Sequence, residues 1–132
     1  MPNEILRQQS DRWNGTGGAW AQGYRSSGEM VFLQGQTGLT LDGDVVAPGD
    51  PAGQARMALE NIRTLMELAG GTLADVVKIV VYVTEHAHRR HVYPIIDEFF
   101  GLQKPCSTGL VVSGLALPEL VVEIDAYGVI DR

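Results

Sequence analysis

Apolar residues recur along this chain with two periods, and the change between them predicts its elements. Ala55, Leu59, Ile62, Met66 and Ala69 repeat at helical spacing, with Arg56, Glu60, Arg63 and Glu67 left for the solvent side. Asp50-Pro51 supplies a start for that helix and Gly70-Gly71 an end. Asp75 to Thr84 is rich in β-branched residues and apolar on both faces, which predicts a central strand. Val92, Ile95, Ile96, Phe99 and Phe100 predict a second helix ending at Gly101. Pro94 is tolerated only in a first turn, which places the start of that helix near His91. From Pro105 to Gly128 the pattern reads as two apolar strands joined through Leu115-Ala116-Leu117-Pro118.

Upstream, Glu29 to Gly38 predicts a short strand with Gly35 as a bulge or point of close backbone approach. Residues 1 to 23 are polar and glycine-rich, and read as an arm or loop, partly flexible over 1–17. The order is therefore β(β)-α-β-α-β-β, an α+β fold with both helices on one face of a mixed sheet. The other sheet face still carries Val, Ile and Leu, so a homo-oligomer packed through the sheet is expected.

Composition narrows the functional classes. A chain of 132 residues is a single domain, 1–132, and 45% hydrophobic with 20% charged residues is an ordinary globular balance. The net charge of −6 argues against nucleic-acid and anionic-membrane partners, which need a basic face. No apolar run approaches the roughly 20 residues of a membrane span, and the first residues lack the order of a secretion signal. With the single cysteine Cys106, these features lead to the expectation of a soluble cytoplasmic protein.

Candidate chemistry begins with Glu123 and Asp125. They stand two apart in an apolar strand, so they share a face, and a buried carboxylate needs a partner or a wet cleft. Such a pair can exchange protons, hold water or bind a cation; the alternative is a solvated edge. His86, His88 and His91 offer ligand chemistry, but Arg89 and Arg90 among them repel a cation, so no metal is expected. Cys106 and Ser107 have no adjacent base to make either a nucleophile. Trp13, Trp20 and Tyr24 either staple the arm to the core or line a pocket. Gly35 and Gly38 form no phosphate loop, since no Lys-Ser/Thr follows.

Several segments, taken in order, resemble the Rid/YjgF-like family of reactive intermediate (enamine/imine) deaminases. Gly18-Ala19-Trp20-Ala21-Gln22-Gly23 is similar to that family's Gly-Pro-Tyr-x-Gln arm, and Phe32-Leu33-Gln34-Gly35-Gln36 to its strand ending Ser-Gly-Gln. The stretch from Gln54 to Thr84, the segment IIDEFFG, and Leu117 to Ala126 ending Glu-Ile-Asp-Ala follow its pattern. The resemblance implies a chorismate-mutase-like fold and a homotrimer with clefts between subunits. It further implies hydrolysis of small imines to a carbonyl compound and ammonia, with neither metal nor organic cofactor. Glu123 falls on the family's water-orienting glutamate.

Four positions depart from the pattern. Where the family has the arginine of Pro-Ala-Arg, which grips the substrate carboxylate, this chain has Ser107 after Pro105-Cys106. A neutral hydroxyl in place of two charge-assisted bonds costs about 2–4 kcal/mol of binding. Trp20 replaces the arm tyrosine, Gln34 a serine, and Tyr93 a frequent asparagine. Catalytic Glu123 is thus expected with Ser107 and Cys106 flanking a ligand and Trp20, Gln34 and Tyr93 shaping its pocket. The substrate is expected to be non-standard; the alternative is a non-catalytic binding or regulatory trimer.

Overall fold

The computed structural model describes residues 3–10 and 19–131. Trp13, Gly15, Gly17 and Gly18 of the expected arm lie outside the described residues. The first helix, α1, is Pro51–Leu68, with Asp50 in extended conformation before it. The Asp50 carboxylate makes no cap hydrogen bond, so Pro51 alone supplies the start signal. Its buried stripe is the predicted one, Ala55, Leu59, Ile62 and Met66, widened by Gln54, Ala58 and Asn61. Gly70 takes φ 90° immediately beyond the helix, a conformation glycine adopts without steric cost.

A second helix, α2, runs Arg89–Phe100 from a short 3₁₀ turn at His86–His88. It therefore starts two residues before the position the proline argument predicts, and Pro94 lies inside it. Pro94 and Arg90 are both exposed, so the Arg90 carbonyl, which loses its i+4 amide to proline, is left to water.

The main sheet has the order β3 (Glu29–Phe32), β8 (Val122–Ile130), β5 (Val76–Val83) and β7 (Cys106–Val111). A two-residue strand, β4 (Gln36–Thr37), joins β8 beyond a break at Leu33–Gly35. Strand β5 is central as expected, antiparallel to β8 and parallel to β7. The main correction concerns the N-terminus. Asn3–Gln8 forms β1 and Ala19–Ser26 forms β2, paired antiparallel with register shifts between Ile5 and Gln8, so most of the described part of the supposed arm is strand. Gln103–Lys104 adds β6, parallel to β2. The polar composition of β1 and the glycine of β2 hid these strands, and β2 pairs with β6 far along the chain.

Alternation separates the two faces of the main sheet. Ile79, Val81 and Val83 stand beside Ala126, Ile124 and Val122, all buried under the helices. On the other face lie Lys78, Val80 and Tyr82 beside Tyr127, Asp125 and Glu123, only half-buried or exposed. The strand is thus apolar on one face rather than both. Phe32 and Tyr127 meet edge-to-face at 6.1 Å on this open side, and Met30 and Leu110 are exposed there too. Among the described residues no helix is long and apolar enough to cross a membrane.

Candidate functional site

The carboxylate pair occupies the middle of the open face. Glu123 stands opposite Tyr82 on one side and Thr37 of β4 on the other. The Tyr82 hydroxyl donates to Asp125 Oδ2 at 2.9 Å. Gly35, in the break between β3 and β4, crosses directly over both acids. A Cβ there would collide with Glu123 Oε2 and lie 2.7 Å from Asp125 Oδ1. The close approach expected at Gly35 therefore has a cause: its bare backbone admits two converging carboxylates. Burial, then the neighbouring Asp125 charge, raises the Glu123 pKa above the ordinary value of 4.5. Its bond to Asp125, followed by burial and the nearby negative charges, raises that of Tyr82, keeping the phenol protonated.

Of the other predicted residues, Ser107, Trp20 and Tyr93 lie on the opposite, helix-covered side. Ser107 is in register with buried Ile79, and its Oγ is buried without a hydrogen-bond partner. Trp20 and Tyr93 are core residues, 5% and 8% exposed, stacked edge-to-face at 5.9 Å. They fill space rather than widen a pocket. Arg89, one turn before Tyr93, lays its guanidinium over the tyrosine ring at 4.6 Å and donates to its hydroxyl at 3.3 Å. Lys104 is almost fully buried, 5.7 Å from the Trp20 ring and 3.3 Å from Asp97 Oδ1.

Strand alternation also divides Cys106 from Ser107: Cys106 is in register with Lys78 and so shares the open side. Their side chains leave β7 on opposite faces, although both residues border one groove. Cys106 lines a groove of about 450 Å³ with Gln9, Ala21, Gln22, Lys78, Ser107 and Thr108. Burial pushes its thiol pKa up, against the smaller opposing pull of Lys78, so it is a poor nucleophile at neutral pH. Lys78 Nζ donates to Thr108 Oγ1 at 2.6 Å. Gln34 is exposed beside Gly35, and its carbonyl accepts from Gln36 Nε2 at 3.0 Å. His88 lies 3.8 Å from Glu85, and among the described residues no three His, Cys, Asp or Glu side chains converge as metal ligands.

Sequence reasoning missed Tyr82 as the partner of Asp125, although Lys78 and Tyr82 share one strand phase and so mark a less apolar face. From the sequence, Arg89 stood with Arg25, Arg56 and Arg90 as arginines able to reach the cleft; its place over Tyr93 depends on the helix beginning early enough to set an i, i+4 pair.

The family model described as Endoribonuclease L-PSP matches residues 15–130. A RutC family protein of Pyrococcus horikoshii is 31% identical over 109 residues, covering 83% of this chain and 85% of that protein. The structure of a protein of unknown function from Yersinia pestis, YyfB of the conserved Rid protein family, is 25% identical with TM-score 0.83. It is matched over 100% of its length and 98% of this chain. Rv2704 from Mycobacterium tuberculosis, of the YjgF/YER057c/UK114 family, is 30% identical with TM-score 0.69, covering 97% of this chain and 99% of that one.

Proposed function

This chain belongs to the endoribonuclease L-PSP family, the Rid/YjgF group, and from that premise we propose that it hydrolyses a small imine or enamine to a carbonyl compound and ammonia. The observation that carries this reading is the setting of Glu123. Its carboxylate is half-buried beside Asp125 under the bare backbone of Gly35, with a raised pKa. A carboxylate whose pKa is raised toward neutrality is a better proton carrier than one at its ordinary value.

In this reading Glu123 takes a proton from water as the water oxygen bonds to the imine carbon. Glu123 returns that proton to the nitrogen of the resulting amino alcohol, the hydroxyl proton passes to the nitrogen as the C–N bond breaks, and ammonia leaves as the C=O forms. Glu123 and Ser107 face opposite sides of one sheet, so the complete cleft needs a second copy of the chain. A homotrimer with the carboxylate face of one protomer against the Ser107 face of the next supplies it. Phe32, Met30, Tyr127 and Leu110, exposed on the open side, suit burial in that assembly.

RNA cleavage, suggested by the family description, is disfavoured by the acid pair and a net charge of −6, since both repel a phosphodiester backbone. A non-catalytic ligand-binding trimer is favoured by one observation: Trp20 and Tyr93 are packed against each other in the core. The two readings separate in a coupled assay that generates 2-iminopropionate and bulkier imines in situ and follows carbonyl formation. On the hydrolase reading, Glu123→Ala lowers the acceleration about 100-fold. Equal rates for wild type and variant would sink the role of Glu123, and ligand-induced stabilisation without turnover would favour the binding module.

A further inference from the structure

We propose that Arg89, seated above Gly109 and steadied by Tyr93, is the anion-gripping residue of this chain, and that the ligand carries a carboxylate. Gly109 and Ser107 are in register with Val81 and Ile79, so both present the same face of β7. A Cβ at Gly109 would collide with Arg89 Nη1 and lie 2.7 Å from the Tyr93 hydroxyl. Glycine at that position is what lets the guanidinium settle against the strand. The group is half-buried, and the Tyr93 ring and hydroxyl restrict it from a second side.

What Arg89 lacks is a counter-ion. Among the described residues no carboxylate stands within ion-pairing distance of it, whereas Arg25, Arg56, Arg63 and Lys104 each have one. A partly desolvated, positioned guanidinium with unused donors is suited to a planar carboxylate, which it can hold through two parallel bonds. The buried Ser107 hydroxyl, without a partner two residues away on the same face, is a further independent donor for such a guest. Lys78, the other cation of this strand pair, faces the opposite side and is bonded to Thr108, so it cannot substitute. The anion grip thus comes from a helix rather than from position 107 of the strand.

This inference rests on the ligand-binding cleft proposed above, but it is tested by binding and not by turnover. Pyruvate and 4-oxopentanoate are titrated calorimetrically into the wild-type protein, each beside its neutral amide. The expected result is saturable binding of at least one acid, about tenfold or more tighter than its amide. Arg89→Gln should weaken that acid roughly 30-fold and leave the amide unchanged, with Arg89→Lys intermediate because it keeps the charge but not the fork. Melting curves confirm that each variant is folded. A preference for acid that survives Arg89→Gln overturns the proposal, as does wild-type protein binding neither acid better than its amide. Imine turnover is read separately. An Arg89-dependent carboxylate preference without turnover removes the hydrolase reading alone; turnover with no such dependence removes only the grip.

Discussion

The Tyr82 hydroxyl donates to Asp125 at 2.9 Å across two neighbouring strands, and that bond stands beside Glu123, whose pKa is raised. The proximity of Asp125 adds to burial in raising the Glu123 pKa. Tyr82→Phe removes the donor while preserving the ring. A loss of about 1 kcal/mol is expected, modest because the bond is only partly buried. Urea denaturation of the two proteins measures it; a variant as stable as wild type would show the bond to contribute nothing.

Gly35→Ala tests the cradle. The new methyl group must displace the Glu123 carboxylate, which sits at the end of a flexible side chain and can swing aside. Stability should therefore change little, while imine turnover falls by about tenfold or more because the proton carrier is misplaced. Unfolding at ordinary temperature would instead mean that the backbone cannot accept a Cβ there.

Glu123→Gln carries a pH signature. The raised pKa means that the folded chain binds the proton more tightly than the unfolded chain does. Wild-type stability contributed by this group is therefore lost as pH rises from about the ordinary 4.5 through the raised value, and the penalty persists above it. Glutamine does not titrate. The variant should be the more stable protein at pH 7.5, with its advantage vanishing near pH 4. Denaturation at both pH values is the check, and an advantage that is the same at both contradicts the assignment.

Gln54 is fully buried in α1 and ties three separate backbone groups together. Its Nε2 donates to the carbonyls of Ala47 at 3.0 Å and Glu119 at 2.7 Å, and its Oε1 accepts from the Val121 amide at 2.8 Å. Gln54→Ala leaves those groups without their partner, at a cost of about 3 kcal/mol. Val121 lies two residues before Glu123, so the entry to the strand carrying Glu123 loosens as well. Gln54→Leu should not restore stability, because filling volume satisfies none of the three groups; full rescue in a urea titration would refute the network.

Much of this was legible beforehand. Apolar stripes at Ala55, Leu59, Ile62 and Met66 and at Val92, Ile95 and Ile96 identified both helices, because one face of each must be buried. Glu123 and Asp125 drew attention for a local reason, two carboxylates on one phase of an apolar strand. Their order and that of the flanking segments also carried the family resemblance.

Position in space was decided by contacts between distant residues. That Gly35 closes over Glu123, that Tyr82 reaches Asp125 and that Arg89 rests on Gly109 depend on strand register and on where α2 starts. The early strands followed the same rule: Asn3–Gln8 and Ala19–Ser26 are strands because they pair with each other, and Ala19–Ser26 also with Gln103–Lys104, not because their composition favours extension. Local sequence determines which residues must be buried or capped, since those costs are paid within a turn or a pleat. Only the tertiary structure decides which charges, hydroxyls and bare glycines come to face one another, because hydrogen bonds and electrostatic contacts act across space and not along the chain.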